Sequence, residues 1–191
     1  MNAGFMPEGL PDFSDGFDVY AGWEITRKGD NSLTPEQNRL LAYGAPLFLY
    51  NDDNVDSLES TAGTDTLKEM LEEWWEVTDR KSALETISWL LNEGQHAGAD
   101  PALTEIRQRG IEAITEEEKA DEDSKIGDAF TIAEFVMGVN ETTEADLPET
   151  VLAWDLVRAV NMARWAFICG YINEDEMWEA IRTTAGIAKE S

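Results

Sequence analysis

The chain has 191 residues, a length that is sufficient for one hydrophobic core and short for two. Its 42% hydrophobic residues and seven tryptophans indicate a folded protein rather than a disordered one. The formal net charge is -26, from 40 acidic and 14 basic residues. Because such a charge repels phosphate groups and anionic lipid, we expect no nucleic-acid partner and no membrane partner.

The sequence also predicts where the protein resides. The amino-terminal residues contain no basic run followed by an apolar stretch, the pattern that defines a signal peptide. The longest apolar run, about residues 165–172, is interrupted by Gly170 and is too short to cross a membrane. The one cysteine, Cys169, has no second cysteine with which to form an intramolecular disulfide. These features predict a cytoplasmic protein.

The first elements are an irregular segment and a capped helix. Residues 1–33 are rich in Gly, Pro, Asp and Asn and lack periodicity, which predicts irregular structure. Thr34 is a good helix cap, since proline follows it at the first helical position and glutamine lies three residues after the cap. We expect this helix to end near Gly44, with a solvated acidic loop over residues 51–63.

Helical spacing continues through the middle of the chain. Apolar residues recur every three or four positions from Thr64, and Asp79 caps a further helix that ends at Gly94. Asp100 and the proline after it predict the start of the next helix, which runs to about Ile114. Residues 115–123 are charged enough to be a solvated helix extension or a loop. Residues 130–139 favour a helix over a strand.

Two helices complete the predicted fold. A long helix opens at Leu147 and stops at Gly170, and a capping box that begins at Asn173 starts the last helix. We therefore predict an all-α protein. Its irregular amino-terminal segment covers residues 1–33, and a single compact multi-helix domain covers residues 34–191.

The long helix carries a row of polar residues: Asp155, Arg158, Asn161 and Arg164. At 100° per residue, Asp155 and Arg158 are neighbours on the helix surface, whereas Arg164 lies nearly opposite Asp155 and needs a different partner. A buried charge is unfavourable unless it is paired. We interpret the row as a docking pair that fixes how the helix packs. The alternative is the floor of a polar pocket.

Tryptophans flank this row and offer candidate anchors for a partner. Trp154 and Trp165 lie on the same helix, and Trp75 lies at the end of an earlier one. Aromatic residues mostly fill cores, and this is the interpretation we favour. The alternative is an aromatic groove in which one or two of the three bind a partner.

Motifs of the common catalytic and cofactor sites are missing from the sequence. It contains no P-loop, no Gly-x-Gly-x-x-Gly, no Gly-x-Ser-x-Gly and no His-Glu-x-x-His. With one histidine and one cysteine, a zinc site would need two carboxylate ligands, which structural zinc sites rarely use. A calcium loop anchored at Asp52 would need glycine and glutamate where Ser57 and Gly63 stand. We predict no metal and no cofactor, and we favour a non-catalytic protein over an enzyme.

Several stretches carry a family resemblance. In the last two helices they read Ala-Trp-Asp-Leu-Val-Arg-Ala-Val-Asn-Met-Ala-Arg-Trp, then Gly-Tyr-Ile, then Glu-Met-Trp; upstream they are residues 75–80 and 87–94. Over about residues 40–189 the chain resembles the bacterial YbeU/YbeR-like domain of unknown function 1266. The resemblance implies a bacterial, mostly helical domain and implies no particular activity.

The chain departs from that family pattern at two places. The family tends to have Gly-His-Arg after the upstream helix, whereas this chain has Gly94, Gln95 and His96. The family domain also usually continues into a tryptophan-containing segment after the last helix. We therefore expect either a piece truncated at its carboxyl end or a shorter member of the family.

Three hypotheses for the function remain open. The first is a non-catalytic, acidic protein-binding module for a basic protein, such as an immunity or inhibitor protein against a toxin or nucleic-acid enzyme. The second is an enzyme or small-molecule-binding protein with a polar pocket around Asp155 and Arg158. The third is a DNA mimic, which requires carboxylates in a phosphate-like double row. The sequence leaves the oligomeric state open.

Overall fold

The computed structural model describes residues 25–121, 124–140 and 142–190, without the side chains of residues 139 and 140. These residues contain helices and 3-10 turns and no strand, which confirms the all-α prediction. The helices are α1 (Pro35–Leu41), α2 (Ala45–Tyr50), α3 (Thr64–Trp75), α4 (Arg80–Asn92), α5 (His96–Arg109), α6 (Glu116–Lys119), α7 (Ile126–Asn140), α8 (Leu152–Ile168) and α9 (Glu174–Glu190).

The predicted irregular segment lies only partly among these residues. Residues 25–33 contain no helix or strand, in agreement with the prediction, and residues 1–24 lie outside the described residues. Asp56 fixes the segment through its carboxylate, which accepts hydrogen bonds from the backbone N–H groups of Lys28 (2.8 Å) and Gly29 (3.1 Å). The sequence Phe-Asp-Val-Tyr at residues 17–20 predicts a short strand, and that prediction also falls outside the described residues.

Contacts group the described residues into two compact units. The main unit contains residues 25–94 and 152–190, and the inserted unit contains residues 95–151. The chain passes from one unit to the other at residues 94–95 and 151–152. The composition of the sequence does not change at either place, so the division was not expected. A single domain over residues 34–191 stays a prediction.

Side-chain caps begin the helices where the sequence predicted them. The Thr34 hydroxyl accepts a hydrogen bond from the Gln37 N–H at 3.2 Å, and the Gln37 amide oxygen accepts one from the Thr34 N–H at 2.9 Å. Asp79 and Ser82 form the same reciprocal pair at the start of α4. Asn173 and Glu176 form it at the start of α9.

Several helix boundaries differ from the prediction, and α8 begins at Leu152 rather than at Leu147. The chain does not leave helical structure at Gly44, because Pro46 lies in the first turn of α2, where a proline needs no N–H donor. The prediction that Asp100 and Pro101 begin a helix was wrong. Gly94 turns the chain with φ of 48°, α5 already begins at His96, and Pro101 lies inside it.

α8 is the central helix of the main unit. It packs against α2, α4, α9 and the 3-10 turn Ala42–Gly44. The face that carries the polar row and the apolar face opposite it are both buried. Almost every position from Asp155 to Ala166 lacks solvent exposure. The polar row of α8 is therefore enclosed by the protein.

The inserted unit has a small core of its own. Leu103 and Ile106 of α5 pack with Phe130 and Ala133 of α7 and with Leu147. Residues 115–123, which the sequence left as a helix extension or a loop, contain the short helix α6 after a Thr115 cap. Arg109 links α5 to α6 by two hydrogen bonds to the Glu118 carboxylate, of 2.7 and 3.0 Å.

The contact between Arg109 and Glu118 predicts an unusually low pKa for the Glu118 carboxyl. Hydrogen bonds from Arg109, reinforced by the Thr115 cap, lower the pKa of Glu118 to about 2. A carboxylate with a depressed pKa in the folded state stabilises that state above its unfolded pKa. Its contribution is therefore lost as the pH falls from about 4.5 toward 2. NMR titration of the Glu118 side chain will give a pKa near 2, and Arg109→Gln will raise it. If the pKa of Glu118 is the same with and without Arg109→Gln, Arg109 is not the cause of the low pKa.

Candidate functional site

The polar row begins with an ion pair inside the helix. Asp155 and Arg158, three residues apart, form a salt bridge between the Asp155 carboxylate and the Arg158 guanidinium. Asp155 is fully buried, and Arg158 is 6% exposed. Burial lowers the pKa of Arg158, and the Asp155 charge opposes this effect. The pairing compensates two charges that would otherwise be costly to bury.

Two of the three candidate aromatic anchors surround this pair. The Arg158 guanidinium lies 5.8 Å from the ring centroid of Trp75 and 5.9 Å from that of Trp154. Trp154 is 36% exposed, Trp75 is half-buried, and Trp165 is buried in the main core. Trp75 and Trp154 therefore retain accessible surface next to a fixed charge, and Trp165 does not.

Asn161 attaches α8 to the turn between α1 and α2. Its side-chain amide donates hydrogen bonds to the Gly44 carbonyl at 3.1 Å and to the Val157 carbonyl at 2.9 Å. Gly44 is buried at this crossing, where an added Cβ would lie 2.7 Å from Val160. Asn161 therefore joins two segments that lie 117 residues apart.

Arg164 has its own partner, as its place on the helix required. It forms a salt bridge of 3.0 Å with Asp53 and donates a 2.6 Å hydrogen bond to the Glu59 carbonyl. Its guanidinium also lies 4.5 Å from the ring centroid of Phe48. Arg164 is fully buried, and this burial lowers its pKa, although a guanidinium stays charged near neutral pH.

The interpretation of residues 51–63 as a solvated acidic loop was wrong for part of the loop. Asp53 and Asn54 are buried. The Asp53 carboxylate accepts hydrogen bonds from the Asn54 N–H, the Thr61 N–H and the Ser60 hydroxyl, all within 2.9 Å. Arg164 provides the positive charge that makes this burial possible, so the loop folds around an arginine from α8.

Sequence reasoning missed Asp53. The signal that could have found it was the requirement that a buried Arg164 have a partner, but 40 acidic residues left too many candidates. The structure thus places the polar row at three separate contacts, each of which attaches α8 to itself or to another segment. Of these contacts, those of Asn161 and Arg164 reach other segments, and the Asp155–Arg158 pair stays within α8.

Two cavities that described residues line lie away from the polar row of α8. A cavity of about 640 Å³ is lined by Glu36, Arg39, Leu40, Ala42, Tyr43 and Lys189 of the main unit. A smaller one, of about 370 Å³, is lined by Thr104, Arg107, Gln108 and Glu149 of the inserted unit. Neither is lined by a residue of the polar row.

In residues 25–121, 124–140 and 142–190, no three His, Cys, Asp or Glu side chains lie together as metal ligands would. Within the same ranges, no helix combines the length and the apolar character that a membrane span requires.

Comparison with known proteins identifies the family. Residues 70–191 match the family model described as Protein of unknown function (DUF1266). The match includes the polar row of α8 and its flanking tryptophans, whereas Asp53 lies before it. No curated protein and no solved structure matches the chain. Because the match covers more than half of the sequence, the chain belongs to the DUF1266 family.

Proposed function

We propose that the chain is a non-catalytic, acidic protein-binding module whose partner is a basic protein. The observation that carries this proposal is a stripe of carboxylates along the exposed face of α3. The stripe consists of Asp65, Glu69, Glu72, Glu73 and Glu76.

The geometry of α3 places the first four of these side chains together, since Asp65, Glu69, Glu72 and Glu73 lie within about 100° of one another around the helix axis. Glu76 follows them as the residue that ends the helix, with φ of 55°. The face opposite them carries Leu67 and Leu71, which are buried in the main core. All five acidic residues are exposed, and none forms an ion pair within residues 25–121, 124–140 and 142–190. Lys68 is the one cation of α3.

This arrangement is unfavourable for an isolated helix. Like charges three or four residues apart repel each other by about 0.2–0.5 kcal/mol per pair. Glu72, Glu73 and Glu76 also lie at the carboxyl end of the helix, where the helix dipole disfavours negative charge. A cationic surface placed against the stripe would remove both penalties. Complementary charge of this kind speeds association and selects the partner.

The neighbouring tryptophans supply a second component for such an interface. Trp75 follows Glu72 by one helical turn, and Trp154 contacts the same Arg158 guanidinium as Trp75. Partly exposed tryptophans held rigidly beside charged groups are typical of the residues that dominate binding energy. We propose Trp75 and Trp154 as the anchors and the α3 stripe as the steering surface.

Immunity and inhibitor proteins against basic toxins or nucleic-acid enzymes are the proposed class. The proposed location is the cytoplasm, where a free, buried thiol such as Cys169 stays reduced. A small-molecule site around Asp155 and Arg158 receives less support, because these side chains are buried and paired.

The test compares capture of basic proteins from a lysate of the source cells by three forms of the full chain. The first is the natural sequence, and the second has glutamine at positions 69, 72, 73 and 76. The third is a matched control with the same change of charge in exposed, unpaired glutamates outside α3: Glu93, Glu112, Glu117 and Glu179.

We expect the natural chain and the control to retain a basic protein at low salt. The α3 variant should bind the purified partner about tenfold more weakly by calorimetry, because four attractive charges are gone. Equal losses in both variants, or capture indifferent to salt, would contradict the proposal. If added duplex DNA displaces the chain from its partner, the partner's DNA-binding surface is the one covered, as a DNA mimic requires.

A further inference from the structure

The cavity beside α1 and α9 is lined by two cations that form no ion pair with the described residues. Nine of the 14 basic residues lie within 4.0 Å of a carboxylate. Five have no such carboxylate among the residues that the structure describes: Arg27, Arg39, Lys68, Arg182 and Lys189. Arg39 and Lys189 line the same cavity. In a chain with 40 acidic residues, two unpaired cations at one cavity are notable.

Local carboxylates do not account for this pair. Glu36 lines the same cavity and lies one helical turn before Arg39, yet the two form no ion pair. Each cation does lie in the last turn of its helix, where it opposes the helix dipole. That role explains a positive charge at each position. It does not explain why both line one cavity.

Tyr43 provides a separate observation. Its ring is half-buried and packs against the main core, yet its hydroxyl forms no hydrogen bond within the described part of the chain. A partly buried tyrosine usually finds a partner for this group. Together with Arg39 and Lys189, Tyr43 gives the cavity three side chains with donors that no described side chain engages. Leu40 and Ala42 supply apolar surface beside them.

We infer that this cavity binds a small organic oxyanion, a carboxylate or a phosphate ester that carries an apolar group. The oxyanion accepts hydrogen bonds from Arg39, Lys189 and Tyr43, the strong charge-assisted kind in the case of the two cations. The apolar group covers Leu40 and Ala42. The volume of about 640 Å³ lies in the range of small-molecule sites. This site is separate from the α3 stripe and does not depend on the proposed protein partner.

The probes are phenyl phosphate and phenylacetate, with inorganic phosphate and acetate as counterparts that lack the apolar group. Binding to the full chain is followed by calorimetry and by NMR shifts of the backbone amides of residues 36–43 and 187–190. We expect one of the two aromatic probes to bind with a Kd of about 1 mM or lower and to outbind its counterpart.

Variants locate the site. Arg39→Gln and Lys189→Gln should each weaken binding about tenfold, and Tyr43→Phe about threefold, since each removes one donor. Arg182→Gln is the matched control: it removes an exposed, unpaired cation of α9 that does not line the cavity. It should leave the Kd unchanged. Glu36→Gln should strengthen binding about threefold, because it removes a repelling charge from the cavity.

The opposite sign of the Glu36 effect separates a binding site from a general change in stability. Thermal unfolding of every variant checks that the exposed substitutions leave the fold intact. The inference is overturned if neither aromatic probe gives saturable shifts in these residues by about 20 mM. It is also overturned if Arg182→Gln weakens binding as much as Arg39→Gln, since the effect would then be one of net charge alone.

Discussion

Replacing Arg164 with methionine will destabilise the main unit by about 3–5 kcal/mol. The substitution keeps most of the side-chain volume but removes the guanidinium that faces Asp53 at 3.0 Å. Asp53 is 4% exposed, so its carboxylate would stay buried without a positive charge. The loop of residues 51–63 would lose the hydrogen bond from Arg164 to the Glu59 carbonyl as well.

Urea unfolding measured by tryptophan fluorescence will give this loss. Every tryptophan among the described residues belongs to the main unit: Trp74, Trp75, Trp89, Trp154, Trp165 and Trp178. The signal of these six of the seven tryptophans therefore reports on the unit that contains the ion pair. A fall in the urea midpoint at an unchanged slope would show a change in stability rather than in compactness.

A double-mutant cycle isolates the pair. Asp53→Asn should also destabilise, because it leaves Arg164 buried without a counterion. Combining it with Arg164→Met should lose less than the sum of the two single changes. Arg80→Met, which breaks the exposed pair with Glu176, should have a much smaller effect. Additive losses at Asp53 and Arg164 would contradict a direct interaction.

Substitution of Gly44 by alanine will lower the stability of the main unit by about 1–3 kcal/mol. The added Cβ would lie 2.7 Å from Val160 Cγ1, 2.9 Å from Phe48 Cζ and 3.0 Å from the Asn161 amide nitrogen. Val160 and Phe48 are fully buried, so they cannot move aside freely. Because φ of Gly44 is -91°, alanine meets no backbone strain, and the effect is steric.

The comparison for this prediction is Gly186→Ala in α9. Gly186 is exposed, and a Cβ there meets nothing within 4 Å, so alanine should stabilise the helix by about 0.5–1 kcal/mol. In a Val160→Ala background, Gly44→Ala should cost less stability than it does in the natural chain, because Val160→Ala removes the atom nearest to the added Cβ. Equal effects of alanine at positions 44 and 186 in chemical denaturation would rule out the steric explanation.

Local signals explain what could be predicted from the sequence. The capping boxes at Thr34, Asp79 and Asn173 join residues only three positions apart, so their patterns give the helix starts directly. The Asp155–Arg158 pair is equally local. The family followed from residue patterns within single helices, and the all-α class from helical spacing along the chain.

The start of α5 and the continuation of the chain into α2 were misjudged for a different reason. A proline has no backbone N–H to donate, so it is common in the first turn of a helix. The residue alone does not show whether the helix begins there or earlier. At Pro46 the preceding 3-10 turn passes into a new helix, whereas at Pro101 the helix is already under way. The turn at Gly94, with φ of 48°, decides the second case, because the chain is helical again from His96.

By itself, the sequence determined the helical class, the capped helix starts, the acidic charge and the polar row of α8, because each depends on composition or on residues within one or two turns. Only the tertiary structure decided the partner of Arg164, which lies 111 residues away, and the burial of Asp53. It also decided the division into two units and the meeting of Arg39, Tyr43 and Lys189 at one cavity. The physical reason is that many carboxylates could satisfy a buried arginine equally well, and packing selects one of them.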